Sequence, residues 1–153
     1  MFRCKSCGAL NRVPLSKRGP ESGAVCGRCK APLDLSGAPQ DVDSDSLARA
    51  VSSSPIPVLV DFWAPWCQPC RIAGPIVDQV ARERAGNVLT LKLNTESDPA
   101  PAVAHGIRGI PTFIVFKGGR EVGKQSGVLP RAQLSQWLDS VQKAEPEAAS
   151  PAP

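Results

Sequence analysis

From about residue 40 the apolar positions alternate between short continuous runs and helical spacing, the pattern of a chain that alternates strand and helix. Val58-Leu59-Val60-Asp61-Phe62 is almost wholly apolar and suits a strand buried on both faces of a central sheet. Val88 to Leu93 predicts a second strand. Thr112 to Phe116 and Glu121 to Gln125 flank Gly118-Gly119, which predicts a tight hairpin. Asp45-Ser46 opens a short helix through Leu47, Ala48, Ala50 and Val51, and Ser52-Ser53-Ser54-Pro55 breaks it. A longer helix is expected from about Gln68 to Arg84, with Ile72, Ile76, Val77 and Val80 on one side and Pro75 as a kink. Asp98 to Ala104 predicts a short helix. In the last helix, about Pro130 to Lys143, Leu134, Trp137, Leu138 and Val141 fall at i, i+3, i+4 and i+7, so Trp137 reads as core.

The first quarter of the chain differs. Residues 1–36 hold Phe2, Leu10, Val13, Leu15, Val25, Leu33 and Leu35, too few large apolar groups to close a core, so the segment needs a staple. Ser36-Gly37-Ala38-Pro39 reads as a linker, and Ala144 to Pro153 as a disordered tail. The expected division is 1–36, 37–143 and 144–153.

Composition narrows the class. The 153 residues leave room for one ordinary domain and something small. With 42% hydrophobic and 21% charged residues, the chain can bury a core. No apolar run approaches a membrane span, and Met1 to Lys5 lacks the apolar stretch of a secretory signal. A cytoplasmic protein without a membrane partner is expected. The net charge of +4 is uneven: residues 1–36 carry seven Lys/Arg against two Asp/Glu, whereas residues 37–153 carry eleven against twelve. Thiolates binding a divalent metal would cancel part of that excess, so nucleic acid is not expected as a partner.

All six cysteines fall in three C-x-x-C pairs. Cys4/Cys7 and Cys26/Cys29 are 18 residues apart, the spacing of two knuckles that together make a tetrahedral S4 site. Gly8 and Gly27 stand where such turns need permissive backbone. Zinc fits best, as a closed structural ion; iron would tolerate the same donors, and two disulfides are the competing reading, disfavoured in a cytosolic chain. The third pair, Cys67-Gln68-Pro69-Cys70, lies where an apolar strand meets a helix. Unpaired N–H groups and the helix dipole there favour a thiolate on Cys67, and Cys70 is one turn away, close enough to form a disulfide.

Val60-Asp61-Phe62-Trp63-Ala64-Pro65-Trp66-Cys67-Gln68-Pro69-Cys70, with Gly106-Ile107-Arg108-Gly109-Ile110-Pro111-Thr112, resembles the thioredoxin family over about residues 40–143. The cysteine ribbon ahead of it narrows the resemblance to the zinc-ribbon-bearing, thioredoxin 2 type. The resemblance implies an α/β thioredoxin fold, a central mixed sheet flanked by helices. It makes Cys67 the attacking sulfur and Cys70 the resolving one. It matches Asp61 to a buried aspartate whose raised pKa lets it relay a proton to Cys70. An edge-strand acid facing solvent is the other reading of Asp61. Lys92 matches the lysine beside that aspartate and reads equally as an ordinary strand-surface charge. Pro111 matches a proline preceded by a cis peptide bond. Trp66, Gly109, Ile110, Gly127 and Val128 match the substrate-binding rim, although Gly127 and Val128 also read as a simple turn. Gln68 departs from the family's usual glycine, which leaves the reduction potential open. His105 is expected on a surface turn without a catalytic or metal role.

The function implied is a protein disulfide reductase acting on disulfide-containing proteins and reset by an external thioredoxin reductase. No Gly-rich dinucleotide fingerprint occurs, so NADPH and flavin belong to that partner. A redox-controlled zinc-ribbon chaperone or binding module is the alternative. A nucleic-acid-binding ribbon on an inactive domain is a third reading, and intact Cys67 and Cys70 argue against it.

Overall fold

The structure, a computed structural model, describes residues 1–14 and 23–142. The expected tail, 144–153, lies outside the described residues, as do Leu15 and Lys143. The elements are β1 (Phe2–Arg3), β2 (Leu10–Asn11), β3 (Gln40–Val42), α1 (Ser44–Ser53), β4 (Val58–Trp63), α2 (Gln68–Glu83), β5 (Leu89–Asn94), α3 (Ala100–Ala104), β6 (Thr112–Lys117), β7 (Arg120–Ser126) and α4 (Arg131–Gln142).

β1 and β2 make a small antiparallel sheet; the other strands form a five-stranded mixed sheet in the order β3-β5-β4-β6-β7. β4 is central, parallel to β5 and antiparallel to β6, and five of its six residues are buried. Its continuous apolar run is explained by cover on both faces. One face carries Val60, Phe62, Leu91, Leu93 and Ile114 against Leu47 and Ala50 of α1. The other carries Leu59, Phe113 and Val115 against Ala73, Val77 and Val80 of α2 and Leu134 and Leu138 of α4. Half-buried Trp137 and Val141 pack on this second face, as the helical spacing predicts.

Several boundaries and faces differ from expectation. α1 starts at Ser44 because Asp43 caps it, accepting a hydrogen bond from the Ser46 N–H at 2.8 Å. Asp98 reaches across to accept from the Ser44 N–H and hydroxyl at 2.7 and 2.6 Å. α2 runs through Pro75 to Glu83, and its core face is Cys70, Ala73, Val77, Val80 and Ala81. Ile72, expected on that face, is instead exposed. The Gly118-Gly119 hairpin forms as predicted, both residues having positive φ. His105 is half-buried and packs on the Phe62 and Phe116 rings at centroid distances of 6.1 and 5.3 Å, rather than standing on an open turn.

The N-terminal segment is docked against the sheet edge. The Arg3 N–H donates to the Gln40 side-chain oxygen, and Gln40 Nε2 donates to the Met1 carbonyl at 3.2 Å. Met1 and Leu10 pack against the α1-side core. The expected linker is part of this contact: Gly37 has φ +86, and a Cβ there would lie 2.5 Å from the Ala85 side chain. Among the described residues, no helix is long and apolar enough to cross a membrane.

Candidate active site

The dithiol sits at the C-terminal end of the central strand. Cys67 is the N-cap of α2, and its sulfur accepts from the Cys70 N–H at 3.2 Å. Open N–H groups there stabilise negative charge on that sulfur once the pair is reduced. Cys67 and Cys70 are joined as a disulfide, their Cα atoms 5.2 Å apart. The preceding loop is tied down by Cys67 N–H to Ala64 carbonyl at 3.1 Å and Arg71 Nε to Pro65 carbonyl at 3.1 Å. Both sulfur residues are nearly covered, whereas Trp66 beside them is 68% exposed.

A second loop faces the pair. The Ile110–Pro111 bond is cis, and the Ile110 carbonyl oxygen lies 3.7 Å from Cys67 Sγ. The Gly127 N–H donates to the Pro111 carbonyl at 2.9 Å, and the Thr112 hydroxyl to the Gly109 carbonyl. Gly109, Ile110 and Gly127 are thereby brought to one rim, and Val128 packs into the α2-side core next to it. The half-buried Ile110 also packs against Ala64, Cys67 and Cys70.

Asp61 is 1% exposed in the middle of β4, which settles its position in favour of burial. Loss of hydration pushes its carboxyl up to about 7, and Lys92, its register partner on β5, pulls the other way. Asp61 Oδ1 has no hydrogen-bond partner among the described residues, so this oxygen is free to hold a proton or a water. Lys92 Nζ lies 4.5 Å from the centre of the Trp63 ring. Trp63, to which the sequence assigns no role beyond its place in the motif, lies two residues beyond Asp61 on the same strand and so shares that face.

The four remaining cysteines form a separate cluster. All four sulfurs lie within 4.8 Å of one another, with Cys4–Cys29 at 3.5 Å and Cys7–Cys26 at 3.6 Å. Sulfurs bound 2.3 Å from one tetrahedral ion are about 3.8 Å apart, so the set fits a thiolate-bound divalent metal. The knuckles are matched: Gly8 N–H donates to Cys4 carbonyl at 2.8 Å and Lys30 N–H to Cys26 carbonyl at 2.9 Å. The Cys29 N–H, then the Asn11 side chain, hold the Cys26 thiol down to about 6, whereas the Ala9 N–H is outweighed at Cys7 by burial and the neighbouring sulfurs, which push that thiol up to about 11; the Cys7–Cys26 pair thus offers one thiolate near neutral pH.

Gly8 has φ +79, as expected of a knuckle glycine. In the second knuckle the matching residue is Lys30, at φ 68, and not Gly27. A left-handed lysine is strained by about 1 kcal/mol. Lys30→Gly is therefore expected to tighten divalent-metal affinity about fivefold, read by competition with a chelator; unchanged affinity would show that the strain is absent.

Comparison with known proteins agrees with this geometry. The family model described as Thioredoxin matches residues 39–140. Thioredoxin 1 of Nostoc sp. is 46% identical over 105 residues, covering 69% of this chain and 97% of its own. Thioredoxin C-3 of Corynebacterium nephridii is 38% identical over 136 residues, 89% of this chain and 91% of its own. That alignment is longer than everything from residue 39 to the end of the chain, so it takes in part of the N-terminal segment. A chloroplastic M-type thioredoxin of Pisum sativum is 47% identical over 100 residues, 65% of this chain and 58% of its own. With a Cys67–Cys70 disulfide at the head of α2, the chain belongs to the thioredoxin family and is a dithiol–disulfide oxidoreductase.

Proposed function

We propose that Cys67 is the nucleophile and Cys70 the resolving thiol in reduction of disulfides on other proteins. The observation that carries this is the position of Cys67: N-cap of α2, bonded to Cys70, and edged by an exposed tryptophan. The Cys67 thiolate attacks a substrate sulfur; a mixed disulfide forms and the other substrate sulfur leaves as a thiolate. Asp61 takes the proton of Cys70 through water, and the Cys70 thiolate attacks Cys67. The substrate's second thiol is released, and the pair is left as the disulfide present in the structure. Two electrons have then passed to the substrate. Lys92 steadies the Asp61 carboxylate. Pro111 closes one side of the dithiol, and Trp66, Gly109, Ile110, Gly127 and Val128 form the apolar rim that seats an extended substrate backbone.

Cys4, Cys7, Cys26 and Cys29 would hold one structural zinc, which supplies a closed cross-link and no redox chemistry. Residues 1–36 are then a zinc ribbon and residues 37–143 the catalytic domain, a zinc-ribbon thioredoxin of the thioredoxin 2 type. Four thiols arranged for metal rather than for disulfides support a cytoplasmic location. An external thioredoxin reductase, carrying NADPH and flavin, would supply the two electrons that reset the pair.

Trapping tests the assignment. Cys70→Ser incubated with insulin is expected to accumulate a covalent mixed disulfide at Cys67, detected by mass spectrometry, and Cys67→Ser none. An adduct on Cys70 in the Cys67→Ser variant would reverse the roles.

A further inference from the structure

Register across the sheet lines up three ionisable side chains. Asp41 of β3 pairs with Lys92 of β5, and Lys92 pairs with Asp61 of β4. Partners at one register share a face of the sheet, so these three form a row: Asp41 exposed, Lys92 half-buried, Asp61 buried. Asp41 and Lys92 line a polar groove together with Asp43, Trp63, Asn94 and Arg3.

Arg3 does not belong to the large sheet. It is the residue before Cys4, and it bridges the two parts of the chain. Its Nε donates to Ser46 Oγ in α1 at 3.3 Å. Its guanidinium also rests on the first knuckle, since a Cβ added at Gly8 would lie 3.2 Å from a terminal nitrogen of Arg3. One cation thus touches the metal-knuckle turn and lines the groove that leads to Lys92.

We propose that Arg3 and Asp41 are positioning residues that set the Lys92 ammonium, and through it the hold of Asp61 on its proton, so that the N-terminal segment tunes the acid serving the dithiol. This rests on the reading of Asp61 as that acid. Lys92 is flanked by acids on both sides, and its ammonium stabilises the Asp61 carboxylate only as far as Asp41 and Asp43 do not draw it away. Arg3 opposes that draw. The Ser46 N–H is the main group holding the Asp43 carboxyl low, and Arg3 adds to it. Without Arg3, a positive charge leaves the groove and Lys92 moves toward the outer acids; both changes strengthen proton binding at Asp61. Without the Asp41 charge, both effects reverse. Among the described residues Lys92 is the charge that acts on the Asp61 carboxyl: β6 offers Phe113 at this register, Ala73 of α2 belongs to the apolar core on this face, and the dithiol is neutral when oxidised.

The test is a carbon-13 NMR titration of the Asp61 carboxyl in the oxidised, zinc-loaded full chain. Arg3→Gln is expected to raise the Asp61 midpoint by about half a pH unit, and Asp41→Asn to lower it by a similar amount. Arg3→Lys, which keeps the charge, should stay near wild type. Opposite signs from two substitutions cannot come from general loosening. Shifts of the same sign, or no shift with Asp41→Asn, overturn the proposal; the hydrogen bonds from Arg3 and to Met1 that dock the ribbon run through Gln40 and not Asp41, so this exposed substitution reads the row even if Arg3→Gln undocks the ribbon. Whether Asp61 serves the dithiol is read separately, from the turnover of Asp61→Ala.

Discussion

Asp61→Ala in the oxidised protein is expected to remove about 4 kcal/mol of pH dependence from the folding free energy between pH 3.5 and 9. The folded carboxyl titrates at about 7 because burial penalises its charged form, whereas an unfolded aspartate titrates near ~3.9. The folded state therefore holds the proton more tightly. The resulting stability is fully present below pH ~4 and is lost as pH rises through about 7. Three pH units at ~1.4 kcal/mol each give the ~4 kcal/mol. With only 1% of Asp61 exposed, solvent screening does not reduce this much. Truncation leaves a small cavity costing about 1 kcal/mol, so the variant should be slightly less stable than wild type at pH 3.5 and about 3 kcal/mol more stable at pH 9. Urea unfolding at the two pH values reads the difference. Parallel pH profiles would mean that Asp61 is ionised at little cost, and its role as a proton carrier near neutrality would go with it. The cost of keeping this acid is close to the gain from burying two core side chains. Slower turnover in the same variant would show what that stability is given up for.

The residues that declare themselves in the sequence do so because one local feature decides them. β4 and β6 are buried on both faces, so a continuous apolar run marks them, and an aspartate inside such a run stands out. Six cysteines in three pairs mark both sulfur centres. β3 is three residues, Gln40-Asp41-Val42, and is a strand only because β5 pairs with it; nothing in that tripeptide says so. Ile72 is apolar and close to helical spacing, yet the face of α2 is chosen by Cys70 and Ala73 packing on β4, which turns Ile72 outward. Gly27 looks like the knuckle glycine, but the chain reverses three residues later, at Lys30. The row of Asp41, Lys92 and Asp61 depends on register between strands about 50 and 30 residues apart in the chain, and no periodicity along one strand reports register on another. Arg3 reads as a solvated charge until the docking of β1 beside Gln40 gives it neighbours.

Removing the metal proposed for the cysteine cluster is expected to unfold residues 1–36 while leaving the five-stranded sheet intact. The interior of this segment is sulfur: among its described residues, only Cys4, Val13 and Cys26 are buried, while Val25 is 48% exposed. Its hairpin pairs two residues with two, far too little to stand alone. Structural zinc in small modules contributes about 10 kcal/mol or more, so a segment with almost no apolar core loses nearly all of its stability with the ion. The two large cores draw their buried members from residue 42 onward, and among the described residues of the ribbon only Met1 and Leu10 lean on one of them. Hydrogen exchange after a strong chelator, or in Cys26→Ser, should therefore show lost protection at the Cys4 and Cys26 amides, which bond within their own knuckles. Amides of β4 and β6 should stay protected. Insulin reduction should persist, because every sulfur that exchanges lies in the sheet-bearing part. Loss of protection throughout the sheet would show instead that the ribbon is integral to the catalytic fold, and that its docking through Gln40 and Gly37 is a folding contact rather than an attachment.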